Sequence, residues 1–431
     1  MMTADAPTGL PARPLPLPLP RYLVRWLLLG CLAGLLAGTA SALLLRALDR
    51  AGAARAAHPW LLALLPLAGA AVAWVYGRIG GNAGAGNDLL IDAIHDPGRQ
   101  VPLRMAPLVL GGTVVSHLFG ASVGREGTAV QMGGALAAAL ARRLRLHHDD
   151  RRILLTAGIG AGFASVFGTP LAGTVFGLEV LALGRMRYDA LLGCLAAAIV
   201  GDRACLAWGA HHAHYAMTAL PAPAPWPLLA TMVAGAVFGL AGRLFAAGAH
   251  RLGAAMRRLL PRAPLRAFAG GIAVATAAWM LDGERYLGLG LPTLQAAFVR
   301  PLAPYDFAGK MAFTIASLAS GFKGGEVTPL FFIGATLGNA LAPLLHLPFP
   351  MLAGLGFVAV FAGAANTPIA STLMAIELFG ADVGVYAAVA CVLAYLCSGH
   401  TGIYRAQRIG QGKHRAMPPD ARLGDLPPSG R

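Results

Sequence analysis

The sequence predicts an all-α polytopic membrane protein, built as an inverted repeat with broken and re-entrant helices. Three observations carry that prediction. Of 431 residues, 57% are hydrophobic and only 12% are charged, about half the charged fraction of a soluble domain. Many apolar segments are shorter than the about 20 residues that cross a bilayer, and glycine or proline stops them. Such pieces suit helices that enter the membrane part-way and whose free ends line a polar cavity inside the protein. Finally, the stretch Gly124-Arg125-Glu126-Gly127-Thr128 returns two hundred residues later as Gly324-Gly325-Glu326-Val327-Thr328.

Taken in order, residues 1–20 form a Pro-rich leader, extended between Pro11 and Pro20. The apolar run Leu27 to Leu45 has transmembrane length and exceeds the hydrophobic region of a secretory signal. It lies in the first apolar segment, 22–48, which is followed by 59–77, 103–119, 128–141, 153–166, 170–184 and 188–208. A second set covers 226–247, 267–281, 307–320, 329–346, 350–364, 368–379 and 383–397. Ala33-Gly34 with Gly38 matches Ala234-Gly235 with Gly239, and Gly84-Ala85-Gly86 matches Gly288-Leu289-Gly290. Thr169-Pro170-Leu171-Ala172 with Glu179 matches Thr367-Pro368-Ile369-Ala370 with Glu377. With the glutamate motif these are four matches in one order at a near-constant offset, which indicates two homologous halves. The halves are placed at 21–210 and 211–404, with a polar tail over 405–431.

Arginine gives their relative orientation. The loop after the first glutamate segment holds Arg142, Arg143, Arg145, Arg151 and Arg152, whereas its counterpart near 342–350 has no charge. The leader carries Arg13, Arg21 and Arg25, and its counterpart near 214–226 carries none. Equivalent loops that differ in this way face opposite sides of the membrane, with both termini cytoplasmic. Arg46, Arg50 and Arg55 fit this scheme less well, because their loop is expected outside. The net charge of +15 comes from arginines placed between apolar spans, which speaks for the membrane and against nucleic acid.

The chemistry is expected at the two glutamates. A helix N-terminus offers unpaired N–H groups and the positive end of the helix dipole, and so holds an anion without a full positive charge. Glycines at 124, 127, 324 and 325 let backbone approach such an ion closely. A carboxylate there competes with the anion for the same donors, and protonation removes the competition, so proton and anion occupancy become coupled. At membrane depth an ionisable side chain is a candidate for function. Five cysteines in apolar settings give no disulfide framework, and no Ser/His pair, HExxH or Walker motif supports a protease or an ATP-driven pump. His211, His212 and His214 sit in a Pro/Ala-rich connector with no Cys or acid neighbour, so no metal is expected there. His147-His148-Asp149-Asp150 reads as a solvated turn. No cofactor is implied.

Gly124-Arg125-Glu126-Gly127, followed by Val130-Gln131-Met132-Gly133-Gly134, resembles the gating-glutamate motif of the CLC chloride channel and transporter family. Ala161-Gly162-Phe163-Ala164-Ser165-Val166-Phe167-Gly168-Thr169-Pro170-Leu171-Ala172-Gly173 and Phe176-Gly177-Leu178-Glu179 resemble the segment that follows it in that family. The resemblance runs from about residue 25 to about 410. Its departures point to the fluoride/proton antiporter branch. Gly86-Asn87-Asp88-Leu89-Leu90 stands where Gly-Ser-Gly-Ile-Pro is usual, and Gly325-Glu326-Val327-Thr328-Pro329 stands for Gly-x-Phe-x-Pro. Thr128 replaces a common proline, and Val180 falls where chloride/proton exchangers carry an inner glutamate. Tyr404 falls at the family's central tyrosine.

The resemblance implies a CLC-type inverted repeat that exports fluoride in exchange for protons, with Glu126 as the gate and Glu326 as a second coupling glutamate. The anion-binding residues it implies are Asn87, Gly124, Arg125, Gly127, Gly325, Val327, Thr328 and Tyr404. Fluoride is small and a strong hydrogen-bond acceptor, which the Asn87 amide and the hydroxyls of Thr328 and Tyr404 would suit. Other roles stand beside these. Asn87 and Thr328 are also suited to cap helices, Glu326 to pair with Lys323, and Tyr404 to anchor at the interface. Glu179 and Glu377 are expected to brace helices, and Phe238 and Phe245 are candidates to flank the pathway. Further expectations are a homodimer in a bacterial inner membrane and weak use of chloride. The alternatives are a chloride or nitrate exchanger or channel and, from another class, an intramembrane enzyme or sensor.

Overall fold

A computed structural model describes residues 18–212, 215, 217 and 219–426. Most of the Pro-rich leader, His214 and the last five residues lie outside the described residues. Sixteen α-helices are found among the described residues. The first eight are α1 (Leu19–Ala57), α2 (Leu65–Val75), α3 (Asn87–His95), α4 (Met105–Leu118), α5 (Glu126–Arg143), α6 (His148–Phe167), α7 (Pro170–Glu179) and α8 (Leu191–Ala207). The next eight are α9 (Pro225–Leu259), α10 (Ala263–Met280), α11 (Leu291–Ala296), α12 (Asp306–Ser320), α13 (Val327–Leu345), α14 (Phe349–Ala365), α15 (Pro368–Phe379) and α16 (Gly384–Cys397). The two sets correspond in order and in their main packing partners, although α2, with 11 residues, is shorter than its counterpart α10, with 18. In the first, α1 packs on α8 and α5 on α6; in the second, α9 packs on α16 and α13 on α14. Among the described residues, strand structure is confined to a two-residue parallel pair, Ala182–Leu183 with Arg408–Ile409, and two isolated bridges. The protein is an integral membrane protein, and among the described residues five helical segments are long and apolar enough to cross a bilayer.

Small residues let the helices of each half cross closely. Gly133 on α5 meets Gly158 on α6, and Gly334 on α13 meets Gly356 on α14, each leaving no room for a Cβ against the other's carbonyl oxygen. In a membrane, close backbone packing substitutes for the hydrophobic drive between helices. The middles of α6 and α14 are buried throughout, from Ile153 to Phe167 and from Met351 to Ala365. These two helices form the backing on which α5 and α13 lie.

The two halves exchange one contact reciprocally. Glu179, at the end of α7, accepts the Ile369 and Ala370 N–H groups that open α15, at 3.1 and 2.8 Å. Glu377, near the end of α15, accepts the Leu171 and Ala172 N–H groups that open α7, at 2.9 and 2.8 Å. Helices α7 and α15 therefore run antiparallel, as equivalent parts of an inverted repeat must. Each glutamate satisfies two donors that a helix start leaves over, in charge-assisted bonds. Glu179→Ala is expected to lower unfolding stability in detergent by about 1–3 kcal/mol, the usual effect of orphaning buried donors, and a thermal melt beside Glu377→Ala checks it.

Three regions differ from the sequence reading. Helices α1 and α9 continue beyond the apolar runs, to Ala57 and Leu259, because the alanine- and arginine-rich stretches that follow favour helix. Arg55, one of the three misfitting arginines, is partly neutralised there by an ion pair with Glu284 at 2.5 Å. The expected turn at His147 to Asp150 is instead the start of α6, where Asp149 and Asp150 lie in the first turn. Acids favour that end of a helix, and Asp150 also pairs with Arg25 at 2.5 Å. Lastly, residues 405–426 are not a free polar tail. They fold back onto the body through fully buried Gln407, which donates to the Val180 and Ala365 carbonyls at 2.9 and 2.8 Å. Arg422 reaches Asp92 on α3 at 2.8 Å, and the Ala406 N–H reaches Asp88 at 3.0 Å.

Candidate functional site

The two glutamate motifs meet. Gly124 and Gly325 form an antiparallel bridge, each N–H donating to the other's carbonyl at 2.6 and 2.8 Å. The N-termini of α5 and α13 thus converge at one place. A Cβ on Gly325 would lie 2.7 Å from the Gly127 nitrogen, so this approach requires glycine. The bridge also reassigns two expected anion donors, because the N–H groups of Gly124 and Gly325 are committed to each other. Donors left over are those of the first helical turns. In α5, Thr128 and Ala129 return their N–H groups to the Arg125 carbonyl. Among the described residues, Gly127 and Val327 have no backbone acceptor for theirs.

Glu126 is fully buried and reaches across the interface. Its carboxylate accepts the Thr328 N–H at 3.0 Å and the Thr328 hydroxyl at 2.5 Å. It also accepts the Arg125 N–H at 3.2 Å, with Arg125 Nε 3.4 Å away. A carboxylate of the first half therefore caps a helix of the second half, occupying the donors and dipole field that would hold an anion. The Thr328 hydroxyl serves this carboxylate rather than its own helix. Thr328→Val removes a charge-assisted bond of about 1.5–3 kcal/mol. It is expected to loosen Glu126 and lower the thermal unfolding midpoint in detergent, read from a melt beside the wild type.

Two cavities flank this junction. One, of about 20 Å³, is lined by Arg125, Glu126, Thr328, Tyr215, Phe331 and Phe357, which is room for about one water-sized particle. The other, of about 290 Å³, is lined by Asn87, Asp88, Gln131, Lys323, Glu326 and Tyr404, among others. Glu126 belongs to the first and Glu326 to the second. Asn87 does not cap α3, because Gly86 takes the cap position at φ +62° and no side chain bonds there. The Asn87 amide faces the start of α5, its Nδ2 3.3 Å from where a Cβ on Gly127 would stand, and its Oδ1 is buried without a partner. Tyr404 is buried, 4% exposed, rather than at a lipid interface. It is positioned by the Ile403 N–H, which donates to the Ala364 carbonyl at 2.9 Å. Glu326 forms no ion pair with Lys323, whose ammonium lies 4.2 Å from the Tyr76 ring centre instead.

Of the residues expected from sequence, the junction brings together Glu126, Arg125, Gly124, Gly127, Gly325, Val327 and Thr328. Asn87, Glu326 and Tyr404 share the larger cavity. Phe238 and Phe245 line neither cavity and are fully buried in the helix packing. The aromatic rings lining the smaller cavity are Phe167, Tyr215, Phe331 and Phe357, with Phe331 and Phe357 stacked at 4.0 Å. Sequence reasoning also passed over Asp88 and Gln131. Asp88 had a signal, an acid beside Asn87 at a helix start. Thr113 had none, although its hydroxyl lies 2.7 Å from that of Thr128. The histidine connector does have an acid partner, contrary to expectation, since His212 Nε2 lies 3.3 Å from Asp202. Among the described residues no group of three or more His, Cys, Asp or Glu is arranged to hold a metal, and all five cysteines are free.

This architecture can be set beside known proteins. Residues 68–399 match the voltage gated chloride channel family. The chain belongs to the CLC family. It is 60% identical over 395 residues to the chloride/fluoride channel protein of Pseudomonas syringae pv. tomato, covering 90% of this chain and 87% of that one. It is 30% identical over 371 residues to a putative chloride channel protein ClcB-like of Ralstonia nicotianae, covering 81% and 85%. A crystal structure of a CLC-type fluoride/proton antiporter superposes with a TM-score of 0.87 at 34% identity, covering 90% of this chain and 98% of that one. A slow cyanobacterial Cl⁻/H⁺ antiporter shares the fold, with a TM-score of 0.75 at 21% identity and coverage of 88% and 94%. Membership of the CLC family makes the chain an anion-transport protein rather than an enzyme.

Proposed function

We propose that this CLC protein exports fluoride from the cytoplasm in exchange for protons. The observation that carries the reading is the Glu126 carboxylate bound to the N-terminal donors of α13. Ionised, it holds the Thr328 N–H and hydroxyl and keeps the anion out. Protonated from outside, it loses its charge, releases those donors, and fluoride takes them. Glu326, in the larger cavity with Asn87 and Tyr404, exchanges the proton on the cytoplasmic side. The Asn87 amide and the Tyr404 and Thr328 hydroxyls add donors that suit a small, strongly hydrogen-bonding anion. The name of the Pseudomonas relative and the likeness to the fluoride/proton antiporter support fluoride as the substrate.

The same proposal includes two inverted halves over 21–210 and 211–404, both termini in the cytoplasm of a bacterial cell, and a homodimer with one pathway per subunit. The arginine distribution and the antiparallel α7 and α15 support the inversion. Proteoliposomes loaded with fluoride or with chloride test the substrate. Fluoride efflux well above chloride efflux is expected, and equal rates or faster chloride would turn the reading to a chloride exchanger or channel.

A further inference from the structure

The cavity shared by Asn87, Glu326 and Tyr404 has an unusual charge inventory. It carries two carboxylates, Asp88 and Glu326, and among the described residues lining it a single cationic side chain, Lys323. An anion entering this space is repelled by any ionised acid at close range. The manner in which the lysine is held therefore matters to entry. Lys323 makes no ion pair among the described residues, and its ammonium rests 4.2 Å from the centre of the Tyr76 ring. Tyr76 opens the π-helical turn Tyr76–Gly80 that follows α2, a rare geometry that is frequent at functional sites. Gly112 on α4 closes the remaining side, where an added Cβ would stand 3.0 Å from Lys323 Cβ and 3.4 Å from Tyr76 Cε2. The end of α2, helix α4 and the segment before α13 thus fix one side chain. An aromatic face attracts a cation without cancelling its charge. A carboxylate partner would neutralise it.

We infer that Lys323, held on the face of Tyr76, is the counter-charge that admits the transported anion to the Glu326 side of the pathway. This rests on the fluoride-export reading and adds a residue to it. Lys323 acts on the anion's entry and so sets apparent affinity; the proton gate is Glu126. Tyr76 is a positioning residue that acts through Lys323.

The test is fluoride efflux from proteoliposomes over a range of internal fluoride, for wild type, Lys323→Gln, Lys323→Arg, Tyr76→Leu and Tyr76→Phe. Lys323→Gln is expected to raise the fluoride KM about tenfold, which corresponds to about 1.4 kcal/mol, while the maximal rate changes much less. Lys323→Arg recovers most of that loss. Tyr76→Leu moves KM in the same direction, Tyr76→Phe restores it, and adding Tyr76→Leu to Lys323→Gln gives little further change, as coupled residues do. An unchanged KM in Lys323→Gln overturns the inference, as does a Tyr76→Leu defect confined to maximal rate. If Lys323→Gln does not elute as folded protein, the contrast between Tyr76→Leu and Tyr76→Phe decides. A wild type that moves no fluoride sinks the export reading itself, whereas normal wild-type export with an unmoved KM in the variants sinks the Lys323 role alone.

Discussion

Glu126→Gln is expected to carry fluoride down its gradient at all pH values while moving no protons against theirs. The amide has nearly the shape of the carboxylic acid and cannot ionise, so it imitates the protonated gate permanently. In the wild-type arrangement the carboxylate accepts two bonds from Thr328 and one from the Arg125 backbone. A carboxylate competes for these donors with a full charge, at a helix terminus that favours anions. A glutamine offers only a neutral oxygen, so its hold is weaker by roughly the difference between charged and neutral hydrogen bonds, about 1–2 kcal/mol. Wild-type flux should rise as external pH falls, and the variant's flux should be flat. Parallel recordings of fluoride with a selective electrode and of internal pH with a trapped dye check both. Retention of uphill proton movement in Glu126→Gln would remove Glu126 from the proton path.

Glu326→Gln is expected to have the opposite phenotype, with fluoride and proton movement falling together by about tenfold or more. Glu326 lines the larger cavity and Glu126 the smaller one, so the second glutamate acts on the far side of the junction from the gate. Without an ionisable group there, the proton that opens Glu126 has no acceptor on the cytoplasmic side, so it leaves by the way it came and the ionised gate recloses on Thr328. Loss of a positioned acid or base typically costs a hundredfold or more where it limits the rate, and water reaching the cavity will recover part of that. The same recordings apply, together with a thermal melt to show that the fold is retained. Free fluoride leak in Glu326→Gln would instead make this residue a second gate.

Much of this arrangement was legible in the sequence. The repeat could be read because the junction, the glycine crossings and the α7/α15 exchange each need particular small or acidic residues, and each occurs twice. Both motif glutamates mark helix starts, Glu126 as the first residue of α5 and Glu326 as the cap of α13, as the apolar runs after them suggested. Which donors the glycines keep was hidden, because the bridge between Gly124 and Gly325 joins residues two hundred positions apart. The partner of Lys323 was hidden for a related reason. Its spacing from Glu326 suggests a local ion pair, but Tyr76, from the turn after α2, arrives to take it. Residues 405–431 read as a polar tail, and over 405–426 that polarity has a structural use. It serves buried carbonyls through Gln407 and the acids of α3 through Arg422. Aromatic placement failed for Phe238 and Phe245 because position along a helix does not say which face meets the junction.

The central claim is that fluoride and protons move in exchange through the Glu126 junction. Its most direct measurement uses wild-type protein in liposomes with a high internal fluoride concentration and an interior already more acidic than the outside. Fluoride leaving down its gradient should drive further acidification of the interior, against the proton gradient. Fluoride efflux with no such proton uptake, or the same acidification driven equally well by chloride, would contradict it.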